Sequence, residues 1–174
     1  VRPTFPSSHK PLGVIGERRL GVSRLLIPAV LLLAFFAWPY VTLWRLDRAL
    51  TRDEPQALAA LVDLAAVREE IQHRLNKENA STIGPVSDDF VAWLERAIRR
   101  NGTDAIEHQV DLEWVRGRLL SRSPPGEGLR SALTRAFFDD PLHFSLRMGA
   151  PSASPVYARL SLQRSGWRLT ALYF

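Results

Sequence analysis

Cysteine is missing from all 174 residues. Its absence excludes disulfides, thiolate zinc sites, cysteine-ligated iron–sulfur clusters and a cysteine nucleophile, while leaving the redox compartment open. Lysine is nearly as scarce, because Lys10 and Lys77 are the only lysines among 23 basic residues, a bias that fits GC-rich coding better than a design for phosphate. Ten glycines and twelve prolines are too few for a collagenous or wholly disordered chain. The sequence also lacks GxSxG, a Walker loop, HExxH and GxGxxG. No catalytic, cofactor-binding or metal-binding residue is therefore predicted, and the chain is expected not to be an enzyme. The first residue is Val rather than Met, which fits either a non-standard start or a trimmed chain.

What is present is about one domain's worth of globular composition, 46% hydrophobic and 24% charged. The net charge of +5 invites a nucleic-acid function, but its distribution argues against one. Residues 1–24 hold Arg2, Lys10, Arg18, Arg19 and Arg24 against Glu17, whereas residues 45–174 hold 18 basic and 17 acidic side chains. The body is nearly neutral, and a DNA-binding domain concentrates charge on the folded surface that meets phosphates. No nucleic-acid partner is expected.

The strongest signal is the run LLIPAVLLLAFFAWPYVTLW, residues 25–44, which has no charged residue. At 1.5 Å per helical residue it reaches about 30 Å, the thickness of the hydrocarbon layer. It has no polar face, as a buried core helix would, and for a cleavage after Ala37 the −3 position is Phe35 rather than a small residue, so a cleaved signal peptide is poorly supported. An uncleaved transmembrane helix is the expectation. Arg18, Arg19 and Arg24 make the preceding flank positive, while the charges from Arg45 to Glu54 cancel, so the N-terminus should stay in the cytoplasm. Residues 1–24, with three early prolines, read as a cytoplasmic tail. The later residues would then lie in the periplasm of a bacterium whose inner membrane holds the span. Trp38, Pro39, Tyr40 and Trp44 cluster at the outer end, as an interfacial belt or as a surface that packs on the outer domain or a partner. Pro39 leaves the carbonyl of Phe35 without its helical donor, so a kink is expected there.

Beyond the span, Leu43, Leu46, Ala49 and Leu50 keep helical spacing to about Thr51, and residues 52–174 read as the extracytoplasmic domain. Thr51-Arg-Asp-Glu looks like a capping box opening a helix over residues 54–61 with Pro55 in its first turn. Asp63 is placed to cap a helix whose stripe is Ala66, Val67, Ile71 and Leu75. Ser87 or Asp88 can cap another, ending at Asn101-Gly102. Asp111 can cap a helix to about Leu120, although Val110, Leu112 and Trp114 also alternate like a strand. SRSPPGEG, residues 121–128, is a loop. The last third alternates with period two: Leu142, Phe144, Leu146, Met148; then Val156, Ala158, Leu160, Leu162; then Trp167, Leu169, Ala171, Tyr173. Helices followed by three such runs predict an α+β fold, with an antiparallel meander at the C-terminus.

Several stretches carry a family likeness: Pro39-Tyr40 at the end of the span, LWRLDRAL, ALAALVDLAAVREEI with its Leu61-Val62-Asp63 and Val67-Arg68, FDDPLHFSLRM, and the closing GWRLTALYF. Over residues 38–79 and 137–174 the chain resembles a bacterial domain-of-unknown-function family, number twenty-nine thirty-nine. The resemblance implies an envelope protein anchored in the inner membrane, and it carries over no catalytic residue.

The remaining titratable residues give little chemistry. Glu69 and Glu70 are spaced to approach His73, and Asp104 and Asp111 to approach His108, yet each cluster offers one imidazole where a metal needs three or four ligands. Asp139-Asp140-Pro141 is read as a turn. Two functions remain. In the first, the span and the outer domain contact integral-membrane partners, making the chain an accessory, assembly or stabilising subunit of a larger complex. In the second, helices over a curved sheet enclose an apolar pocket for a lipid or small hydrophobic ligand.

Overall fold

The computed structural model describes residues 19–80, 93, 96, 105–150 and 154–174. It divides into two units, Val1–Ala37 and Trp38–Phe174. One helix, α1 (Arg19–Thr51), contributes to both and runs unbroken through Pro28 and Pro39. In the first unit its side chains from Leu26 to Phe36 are almost all exposed, including Ile27, Val30, Leu31, Leu32 and Leu33. The tail before Arg19 lies outside the described residues.

In the second unit the same helix becomes two-faced. Pro39, Thr42, Leu43, Leu46, Ala49 and Leu50 are buried, while Trp38, Tyr40, Val41, Trp44, Arg45 and Arg48 are exposed. This is the 3.6-residue stripe of a helix lying on a core. The globular unit therefore begins inside the apolar run, at Trp38. Helix α1 stops as the sequence predicts, at Thr51, but by a different device. Asp53 takes the left-handed conformation at φ 54°, and the amide of Glu54 returns to the carbonyl of Ala49, 3.1 Å. Thr51 does not open the next helix. Its hydroxyl donates backward to the carbonyls of Asp47 and Arg48, so residues 51–54 close α1. Helix α2 (Pro55–Leu61) starts on Pro55, with Glu54 at the N-cap and no side-chain cap bond.

Asp63 caps α3 (Leu64–Ala80) as expected, accepting from the amide of Ala66 at 3.1 Å, and Val67 and Ile71 are buried on its inner stripe. The side chain of Leu75 and most of the expected helix after Asp88 lie outside the described residues, but Trp93 and Arg96 are helical. A short α4 (Ala105–Gln109) precedes α5 (Leu112–Leu120). Asp111 settles the helix-or-strand question, because its carboxylate accepts from the amide of Trp114 at 2.7 Å and Val115 and Leu119 are buried four apart. The loop at residues 121–128 leads to α6 (Leu129–Ala132). There Asp47 of α1 accepts from the amide of Arg130, so the two elements are joined directly.

The sheet has four strands, one more than predicted: β1 (Leu133–Asp140), β2 (His143–Met148), β3 (Val156–Gln163) and β4 (Gly166–Tyr173). They form an antiparallel meander in sequence order. The α+β class and the C-terminal meander are as the sequence predicts. Strand β1 was missed because it is an edge strand, mostly exposed, with register shifts near both ends that break its alternation. The opposite edge is covered, since Val62 bridges Leu169 and the amide of Asp63 donates to the Leu169 carbonyl. Inward-facing Phe144, Leu146, Met148, Leu160 and Leu169 are fully buried with Leu46, Leu50, Ile71 and Leu119. These side chains, from both the helices and the sheet, form the hydrophobic core.

Candidate functional site

The residues singled out at the outer end of the span sit together where α1 enters the globular unit. Trp38 is 50% exposed, Tyr40 47% and Trp44 46%. Pro39 points the other way and is buried. Thr42, itself buried, donates its hydroxyl to the carbonyl of Trp38 at 3.3 Å. Tyr40 is held by an edge-on contact with Phe144 of β2, centroids 4.9 Å apart, and Phe144 in turn meets Phe138 at 5.0 Å. The sequence offered two roles for these aromatics. Tyr40 divides its surface between the core and solvent, while Trp38 and Trp44 face outward.

Exposure of the tryptophans continues a line of apolar residues along one helical face, Trp38, Val41 and Trp44, three apart. The line ends at Arg48, whose guanidinium lies 5.4 Å from the Trp44 ring centre. Such a cation over an indole is the arrangement that lets a long side chain leave an apolar surface for water. Two turns of the sheet lie at the Trp38 end. Its ring carbon Cζ2 stands 3.8 Å from where a Cβ on Gly166 would be, at the β3–β4 turn. The β1–β2 turn is tied to the same end by a bond from the amide of Leu162 to the carbonyl of Leu142, 2.9 Å, and Leu142 is 52% exposed. The Trp38 end of the globular unit therefore carries Trp38, Leu142 and the neighbouring turn residue Arg164, which is exposed.

Of the topology residues, Arg18 lies outside the described residues, and Arg19 and Arg24 are placed by their backbone in α1. His73 and His108 are exposed, Glu70 pairs with Arg74 at 3.3 Å, Asp104 lies outside the described residues, and among the described residues no group of three His, Asp or Glu side chains could hold a metal. Asp139 and Asp140 end β1, and the turn expected there falls on Pro141-Leu142: Asp140 accepts from the amide of Leu142 at 2.8 Å and from Nδ1 of His143 at 2.7 Å. Those two bonds, the His143 one foremost, hold its carboxyl below the usual range.

Sequence reasoning missed one feature, a groove of about 570 Å³ on the outer face of the sheet. Arginines and aromatic rings line it, from residues scattered between Arg135 and Tyr173. The only trace in the sequence was the set of polar positions alternating with the apolar ones, read as a wet face.

Residues 29–93 match the family described as Protein of unknown function (DUF2939). The match agrees with the resemblance read from the sequence. It takes in α1 from Ala29 onward, α2 and α3, hence the whole aromatic cluster, and leaves out the sheet. No curated protein and no solved structure matches the chain. One helix, Leu26–Thr51, is long and apolar enough to cross a membrane, and a signal sequence passes the same test.

Proposed function

We propose that the chain is a single-pass protein of the bacterial inner membrane, N-terminus in the cytoplasm and residues beyond the span in the periplasm, acting without catalysis as an accessory or stabilising subunit of a larger membrane complex. The observation that carries this reading is the exposed apolar face of α1, which continues from Leu26 across the start of the globular unit to Trp44. A soluble protein rarely leaves so much contiguous apolar surface uncovered. Length sharpens the point. Residues 26–37 reach only about 18 Å at 1.5 Å per residue, short of the roughly 30 Å of hydrocarbon. The segment from Trp38 to Trp44 supplies about 10 Å more. The first turns of the globular unit thus belong to the layer where tryptophan and tyrosine are favoured. Arg18, Arg19 and Arg24 on the other flank support the orientation.

Carbonate washing of membranes should leave the chain in the pellet, and a C-terminal alkaline phosphatase fusion should be active while a green fluorescent fusion stays dark. Release by carbonate, or the reverse fusion pattern, overturns the anchored, outward-facing placement. For the subunit role, a photo-crosslinker at Val41 should trap stoichiometric integral-membrane proteins that also co-purify in mild detergent. A monomer without protein adducts overturns it.

A further inference from the structure

We propose that the groove on the outer face of the sheet binds an oxyanion, a carboxylate or a phosphate, carried on a flat apolar group. The register creates the site. Arg135 on β1 stands directly opposite Arg147 on β2, Arg147 opposite Tyr157 on β3, and Tyr157 opposite Tyr173 on β4. Like charges directly opposite each other on neighbouring strands repel, so an edge pair of arginines is an unfavourable choice for a sheet that has only to be stable. A bound anion converts that repulsion into attraction to a shared counter-charge, and paired guanidinium groups match the geometry of carboxylate and phosphate oxygens.

The neighbouring carboxylates do not serve this purpose. Asp140 is engaged by His143, and Asp139 accepts the hydroxyl of Ser145 and lies 3.8 Å from Nε of Arg159. Among the described residues no carboxylate is within ion-pair distance of Arg135 or Arg147, and the shielded Nε atoms of Arg147 and Arg159 have no hydrogen-bond partner. The donors are held in place by rings. Arg147 lies 5.8 Å from the centre of Tyr157, and Arg135 lies 5.9 Å from that of Phe137. Tyr157 is stacked on Tyr173 at 5.3 Å, and Arg74 closes the far side of Tyr173 at 3.6 Å. Two cations are followed by two rings along this row, so a ligand whose oxyanion meets Arg135 and Arg147 and whose plane lies toward Tyr157 finds both an anion-binding pair and an apolar face. The groove volume falls in the range of small-molecule sites. The site lies outside the residues matched by the family model and does not depend on the chain crossing a membrane.

Calorimetric titration of the full chain in mild detergent at low ionic strength tests the assignment, with phenyl phosphate, benzoate and inorganic phosphate as probes. Phenyl phosphate or benzoate should bind saturably, and inorganic phosphate more weakly. Arg135→Gln and Arg147→Gln should each weaken the aromatic probe by about tenfold, the loss of a charge-assisted hydrogen bond. Arg164→Gln, on the β3–β4 turn, should bind like the parent protein, and Tyr157→Leu should weaken the aromatic probe while leaving inorganic phosphate unchanged. Both glutamine variants alter side chains on the outer face, and an unchanged melting temperature establishes that they are folded. Absence of saturable binding by every probe overturns the proposal, as does parent-like binding by the Arg135→Gln/Arg147→Gln double variant, or inorganic phosphate binding as tightly as the aromatic probes.

Discussion

Asp63 joins three parts of the outer domain through one carboxylate. It caps α3 through the amide of Ala66, accepts from Nε2 of Gln163 at 2.8 Å on β3, and lies near Arg168, whose Nη2 donates to the carbonyl of Val62 at 2.6 Å. The bond from Gln163, then that from Ala66, hold its carboxyl below the ordinary value of 3.8. A group whose folded pKa is depressed stabilises the native state above its unfolded pKa, and that contribution fades as pH falls toward the folded value. Asp63→Ala should therefore lower stability by about 1–2 kcal/mol at neutral pH, the usual worth of an N-cap. Asp63→Asn keeps a capping oxygen and loses the charge, so its deficit relative to the parent should shrink between about pH 5 and pH 3. Chemical denaturation across that range measures both, and a deficit independent of pH refutes the linkage. Asp53 shows the same economy at another position: an aspartate takes the left-handed place where a glycine is usual, and its carboxylate pairs with Arg116 at 3.1 Å. No glycine marked that helix end, which is why the capping-box pattern at Thr51 misled.

At the scale of elements, α1 is one helix under two sets of constraints. From Leu26 to Ala37 it is apolar all round and almost wholly exposed; after Trp38 it has a buried stripe that the core cannot do without. Leu46→Ala should cost about 2–5 kcal/mol, because a fully buried leucine loses its transfer energy and leaves a cavity. Leu32→Ala, where the side chain is 58% exposed, should change the stability of the outer domain by less than about 0.5 kcal/mol. Denaturant midpoints followed by tryptophan emission separate the two, and equal effects would mean that the helix does not change role at Trp38. The sequence revealed elements whose signal is local. The carboxylates of Asp63 and Asp111 announced their helices, and alternation in β2, β3 and β4 announced the meander. It concealed what depends on pairing. The stretch before Pro141 puts Phe137 and Phe138 side by side between charged residues, so no period could be read from β1. The groove was hidden for the same reason, since Arg135 and Arg147 meet only once the hairpin register is fixed. The aromatic cluster was legible as a cluster, but the sequence could not divide it: Pro39 and part of Tyr40 turn to the core, Trp38 and Trp44 do not.

For the whole molecule, this division makes the placement in a bilayer measurable. The chain has five tryptophans, at 38, 44, 93, 114 and 167. Trp167 is buried under the sheet, and Trp93 and Trp114 pack on each other with ring centres 5.2 Å apart, near Phe174 and Arg118. Burial, then the neighbouring Arg122, lower the pKa of Arg118, and an arginine side chain in a protein carries its charge at neutral pH. A cation there places the Trp93–Trp114 pair poorly for hydrocarbon. If the apolar layer reaches Trp44, bromine-labelled acyl chains should quench Trp38 and Trp44 and spare the other three. Replacing Trp38 and Trp44 together by Phe should then abolish most of the quenching in reconstituted vesicles while leaving emission from the remaining tryptophans intact. Bromines near the headgroup should quench Trp44 more than bromines at the bilayer centre, because the proposed span would leave the hydrocarbon at that residue, beside Arg48. Quenching that survives the double substitution would instead put the Trp93–Trp114 side or the sheet in the lipid, which is incompatible with a span that enters the domain at Trp38.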